Sequence, residues 1–88
     1  NLSVAPALQR RGHARYMLDA LRSIARAHRA SQLWLEVRIS NLNARGLYER
    51  YGFRNVGLRR GYYPARGRAR EDAVVMSLQI PEAVHGLG

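Results

Sequence analysis

Between His13 and Arg29, apolar residues recur at spacings of three and four: Ala14, Met17, Leu18, Leu21, Ile24, Ala25 and His28. That is the period of one face of an α-helix. Short apolar runs of strand length stand on either side, from Leu2 to Ala5 before it and from Leu33 to Val37 after it. A strand, a helix and a strand in this order make a crossover unit. The helix carries the chain back over the sheet, so the first two strands run parallel.

The rest of the pattern is consistent with that start. Arg15, Asp19, Arg22, Arg26 and Arg29 line the opposite helix face, where Asp19 can pair with arginines three and four residues away. Ser40-Asn41 can cap a second helix running to about Tyr51, and Gly52 stands where a helix needs a left-handed residue to stop. Phe53 to Arg59 reads as a strand, and Arg60 to Arg70 as an arginine-rich loop. Asp72 to Ile80 is the last strand, with Val74, Met76, Leu78 and Ile80 alternating on one face and Pro81 ending it. The last two strands are expected to pair antiparallel. The fold class is therefore α/β (α+β), a small mixed sheet with two helices. Residues 1–80 form part of a single domain and residues 81–88 a frayed tail. There is no internal repeat and no low-complexity tract.

With 88 residues the chain holds at most one domain, and 47% hydrophobic content suffices for a core. It has no cysteine, which removes disulfides, thiolate metal sites and cysteine nucleophiles, and is compatible with a reducing cytosol. A cytoplasmic location is expected. No apolar run approaches the roughly 20 residues that span a bilayer, and the start lacks the pattern of a signal peptide. The chain opens without methionine, directly in an apolar segment, which reads as a truncated start. His13, His28 and His85 are too scattered for a metal site, so no metal is expected.

The net charge of +9 comes from 15 basic residues, all arginine. This favours polyanionic partners such as nucleic acid, a ribosome or a phosphate-rich cofactor. Arginines solvating an ordinary surface explain the same number.

One turn in the chain has the features of an anion site. Gln9-Arg10-Arg11-Gly12-His13-Ala14-Arg15 follows a strand and opens a helix. The free N–H groups of a first helical turn, with the positive end of the helix dipole, attract anions. Gly12 permits close approach, Ala14 keeps the turn open, and Arg10, Arg11 and Arg15 add charge. An ordinary helix N-terminus accounts for the segment equally well. The dinucleotide fingerprint needs three spaced glycines, and a Walker loop needs a lysine, which this chain lacks.

In context, this turn resembles the pyrophosphate-binding motif Gln/Arg-x-x-Gly-x-Gly/Ala of the GNAT N-acetyltransferases. Asn41-x-x-Ala44-x-x-Leu47-Tyr48-Glu49-x-x-Gly52-Phe53 is similar to the family's second recurrent motif. Leu33-Trp34-Leu35-Glu36-Val37-Arg38, then Gly61-Tyr62-Tyr63-Pro64 and Glu71-Asp72-Ala73-Val74-Val75-Met76, resemble the RimI-type branch, which acetylates the N-terminal alanine of a ribosomal protein. The likeness runs from about Leu2 to Ile80 and corresponds to the C-terminal portion of the family's acyl-CoA N-acyltransferase fold.

The resemblance implies acetyl-CoA as co-substrate and a protein N-terminal α-amine as acceptor, with no covalent enzyme intermediate. It implies Glu36 as general base and Tyr48 as general acid. The residues themselves leave both open: Glu36 also fits a solvated strand face, and Tyr48 an aromatic core position. The backbone of Leu2, Ser3 and Val4 would pair with the pantetheine arm. Arg10, Arg11, Gly12, His13, Ala14 and Arg15 would hold the pyrophosphate, and Asn41 would contact the cofactor besides capping its helix. Tyr62, Tyr63 and Pro64 would shape the peptide site.

The family fold has about three strands and two helices ahead of these elements. Without them the first strand is an exposed edge that invites pairing with a second copy. The parent protein is then the expected enzyme. The alternatives are a catalytically incompetent fragment or a basic RNA- or ribosome-binding module that uses arginines 59, 60, 66, 68 and 70. Direct nucleic-acid binding is the less favoured of these, and no membrane contact is expected.

Overall fold

The computed structural model describes residues 13–65, 67 and 70–81, and the backbone alone of residues 2–4. The elements run β1 (Leu2–Val4), α1 (His13–Ala27), β2 (Gln32–Arg38), α2 (Leu42–Tyr51), β3 (Arg54–Tyr63) and β4 (Glu71–Gln79). They build one four-stranded sheet in the order β1-β2-β4-β3. β1 and β2 are parallel, as the crossover helix requires, and β4 pairs antiparallel with both β2 and β3. The mixed sheet expected from the sequence is present.

Register explains which side chains are hidden. Leu33 pairs with Leu78, Leu35 with Met76 and Val37 with Val74, so these six share one face of the sheet. α1 and α2 both pack there, contributing Leu18, Ala25, Ala44 and Tyr48 to a single core that Phe53 and Ile80 complete. Trp34, Glu36 and Arg38 point to the other face, alongside Ser77, Val75 and Ala73 of β4. β4 lies between β2 and β3, and from Ala73 to Leu78 its side chains are buried on both faces.

Three expectations need correction. α1 ends at Ala27, two residues early, and Arg29 adopts a left-handed φ of 60° while the Ala30 N–H bonds back to the Ala25 carbonyl. Met17, Ile24 and His28 are exposed, so the packed stripe of α1 is narrower: Ala14, Leu18, Leu21 and Ala25. The sheet covers only one side of a cylinder, and Met17 and Ile24 fall on its flank. The third correction concerns β3, which does not stop at Arg59 but continues to Tyr63. From Arg59 to Tyr63 it advances four residues while β4 moves two, from Ala73 to Glu71. Such a bulge lets a strand absorb surplus residues and pair again. Gly61 supplies its left-handed φ of 61°, and its N–H donates to the Asp72 carboxylate at 2.8 Å. A glycine that signals a loop in the sequence here marks a kink within a strand.

Candidate active site

Glu36 lies mid-way along β2, on the face away from the helices. Its side chain is half-buried, and its Oε2 accepts a 3.0 Å ion-pair hydrogen bond from Arg59 of β3. A carboxylate inside an apolar strand calls for a partner, and Arg59 is that partner. The Tyr63 hydroxyl donates to the Glu36 carbonyl at 3.1 Å, fixing the end of β3 against the middle of β2.

Tyr48 comes from α2. The helix begins where the Asn41 side chain accepts the Ala44 N–H at 3.1 Å, the local bond that makes asparagine a good N-cap. It ends at Gly52, whose N–H bonds to the Tyr48 and Glu49 carbonyls. Between these caps Tyr48 turns into the core at 2% exposure, edge-on to Phe53 with ring centroids 5.8 Å apart. Burial first, and then the neighbouring Tyr63, push its phenol above the ordinary tyrosine value.

Burial raises the Tyr63 phenol, then the negative charge of Glu36 and then Tyr62, with Arg38 opposing. Tyr63 is bonded to the Glu36 carbonyl, whereas the Glu36 side chain and Tyr48 lie on opposite faces of the sheet. Around neutral pH both Tyr63 and Tyr48 keep their protons.

The tyrosines are held by cations on both flanks. Arg59 lies over the Tyr62 ring and Arg38 over the Tyr63 ring, each 4.5 Å from the centroid, and the two rings meet edge to face at 4.9 Å. Arg38 also donates to the Pro64 carbonyl and to Glu71, both at 3.1 Å. Glu71 accepts the Ser40 N–H at 3.1 Å as well. Hydrogen bonds from Ser40, then Arg38, hold its carboxyl below the usual range. This clamp ties the start of β4 and the turn after β3 to the β2–α2 corner.

The remaining predicted residues are placed as follows. His13 and Arg15 are exposed on the first turn of α1, and Ala14 is buried at 1% exposure. Arg10, Arg11 and Gly12 lie outside the described residues. Leu2, Ser3 and Val4 form β1, which among the described residues is hydrogen-bonded on one side only, to Leu33, Trp34 and Leu35. Asn41 is the cap of α2. Of the arginines invoked for RNA, Arg59 is bound to Glu36, and Arg70 donates to the Gly61 and Tyr62 carbonyls. Arg66 and Arg68 lie outside the described residues. Among the described residues, no three or more His, Cys, Asp or Glu side chains gather into a metal cluster, and no helix is long and apolar enough to cross a membrane.

Sequence reasoning missed Arg59, Arg38 and Glu71. Arg38 was within reach, since it lies two residues after Glu36 and therefore on the same face. Arg59 was not, because its position depends on the register of β3 against β4.

A family model described as Acetyltransferase (GNAT) family matches residues 1–53. The chain belongs to the GNAT acetyltransferase family. The "[Ribosomal protein bS18]-alanine N-acetyltransferase" of Haemophilus ducreyi is 45% identical over 80 residues, which cover 91% of this chain and 55% of that protein. The crystal structure of the Escherichia coli ribosomal-protein-S18-alanine N-acetyltransferase matches with a TM-score of 0.73 and 42% identity, covering 97% of this chain and 54% of that one. Naa20 of Chaetomium thermophilum, solved in complex with a bisubstrate analogue, matches with a TM-score of 0.74 and 30% identity over 88% of this chain and 43% of its own. This GNAT chain spans about half the length of the relatives it matches.

Proposed function

We propose that the protein transfers an acetyl group from acetyl-CoA to a protein N-terminal α-amine, the N-terminal alanine of a ribosomal protein being the favoured acceptor. The observation that carries this reading is Glu36, a carboxylate set into β2 on the sheet face away from the helices, paired to Arg59, with the Tyr63 hydroxyl bound to its own carbonyl. Similarity to ribosomal-protein-alanine acetyltransferases over nearly the whole chain supports the choice of acceptor.

The parts that would hold acetyl-CoA fit it. β1 has an open edge among the described residues, and a strand edge offers the amide groups that a pantetheine arm can pair with. The first turn of α1 begins beside the small Ala14, and helix N-termini attract anions, a suitable seat for pyrophosphate that Arg10, Arg11, Gly12, His13 and Arg15 would complete. Asn41 stands at the N-terminus of α2, about two turns before Tyr48. Acetyl-CoA supplies the acyl group as a thioester.

Glu36 takes the proton that the amine sheds as nitrogen attacks the thioester carbonyl. An α-amine has a pKa near 8, so a sizeable fraction is already neutral around neutral pH. Tyr48 donates its proton to the departing sulfur as the C–S bond breaks, leaving a thiol and an amide. A tyrosine at about 10 giving a proton to a thiolate at about 8.5 is uphill by roughly 2 kcal/mol. The upward push on Tyr48 increases that gap. Transfer is therefore expected during bond cleavage, while charge is still building on sulfur. Glu36→Gln tests the assignment. It should lower acetylation of an alanine-starting peptide by about 10²- to 10⁴-fold and leave acetyl-CoA affinity nearly unchanged by calorimetry. Equal loss of both would remove Glu36 from the base role.

A further inference from the structure

We infer that Arg59 is a specificity-determining residue, an electrostatic gate that admits neutral α-amines to Glu36 and turns away charged ε-ammonium groups. This rests on the acetyltransferase reading with Glu36 as base. The Arg59 guanidinium occupies Oε2 of the carboxylate at 3.0 Å, and its carbon lies 4.5 Å from the Tyr62 ring centroid. Its side chain is about half exposed. It is therefore anchored at two points on the open side of the site.

The ammonium of a lysine approaching Glu36 has to displace one cation while passing another. Close like charges cost energy, and the more so where surrounding side chains exclude water. A neutral amine meets no such barrier, because it brings no charge and needs only a lone pair on the carboxylate to receive its proton. Arg38, a second cation on this sheet face, is fixed over Tyr63 and paired to Glu71, so it adds to the positive rim without competing for Glu36. The two amine classes differ strongly in how often they are neutral. With pKa values near 8 and 10.4, about a quarter of α-amines but only about one lysine in a thousand are uncharged at pH 7.5. A site that accepts neutral amines only turns this difference directly into α-selectivity. Remove the gate, and Glu36 can hold a lysine ammonium as its counter-ion at the site, which raises the local concentration of the amine that attacks once its proton has gone to water.

The test uses the full-length protein and two peptides. One starts with a free alanine and contains no lysine. The other has a blocked N-terminus and one internal lysine. kcat/KM is measured for both with wild type, Arg59→Gln, Arg59→Lys and Glu36→Gln. Arg59→Gln is expected to cut the α-to-ε preference, the ratio of kcat/KM for the two peptides, at least tenfold, beyond any loss that both peptides share because Glu36 has lost its partner. Arg59→Lys, which keeps the charge, is expected to retain most of the preference. A merely structural role would lower both peptides together, and that result overturns the gate. So does an unchanged preference in Arg59→Gln, and in either case a large loss in Glu36→Gln leaves the base assignment standing. Absence of turnover by wild type on both peptides overturns the acetyltransferase reading and the gate with it.

Discussion

Replacing glycine by alanine at two positions around the same helix should move stability in opposite directions. Gly46 is inside α2, where glycine is about 0.8–1.0 kcal/mol worse than alanine. A Cβ there would meet the Arg50 guanidinium at 3.2 Å, the far end of a flexible side chain that can step aside. Gly46→Ala is therefore expected to stabilise by about 0.5–1 kcal/mol. Gly52 stops the same helix with φ at 124°, a conformation that alanine rarely adopts, at a cost of about 1–3 kcal/mol. Its Cβ would also lie 3.1 Å from Leu78 Cδ1, in a core with little slack. Pushing Leu78 aside adds part of a further ~1–3 kcal/mol of overpacking. Gly52→Ala should thus destabilise by about 2–4 kcal/mol in all, a large share of the ~5–15 kcal/mol that holds a typical domain folded. Denaturant titrations of the two variants and the parent read this directly, provided the slopes agree so that midpoints report stability alone. Midpoints that shift the same way, or Gly52→Ala within about 0.5 kcal/mol of the parent, would refute the reasoning about φ and the Leu78 contact.

Two further outcomes follow from the shifted phenol and carboxyl groups. Tyr48→Phe should slow turnover while leaving the fold intact. Because the folded-state pKa of Tyr48 is raised, its contribution is complete below about pH 10 and is lost as pH climbs through the folded value. The variant should therefore lose less stability than the parent in alkaline melts, and identical alkaline limbs would place the shift elsewhere. Glu71 behaves in the opposite sense. Its folded-state pKa is lowered, so its clamp on Ser40 and Arg38 holds above the usual carboxylate range and is lost as pH falls through the folded value. Glu71→Gln should flatten the acid limb of thermal stability between about pH 5 and 3, and a limb as steep as the parent's would deny Glu71 that role.

The sequence revealed much of this because local signals and tertiary packing agree. Alternation alone put Leu33, Leu35 and Val37 on one face of β2 and Glu36 on the other, and α2 lies where Asn41 and Gly52 bound it. Tyr48 was legible as an aromatic on the inner face of that helix. The site around Glu36 was not, since Arg59 and Tyr63 reach it through pairings set by β4 and by a bulge at Gly61. Nothing in a run of residues from Arg59 to Arg70 states how many of them the bulge absorbs. Met17 and Ile24 show the converse. Their helical period was correct, but period locates a face and not the width of the surface that covers it.

The position of β4 in the sheet governs the order of assembly. It follows the other described strands in sequence yet is inserted between β2 and β3, with Gln32 paired to Gln79, 47 residues further on. During synthesis β1, α1 and β2 can come together as a local unit, but β3 has no strand to join until β4 arrives. Pairings this distant in sequence are slow to form, because the entropy of closing the loop is lost before any contact compensates for it. A nascent chain halted just after Tyr63 would therefore carry Glu36 without Arg59 in place and α2 without its floor. Both halves of the chemistry are expected to mature together, in one late step.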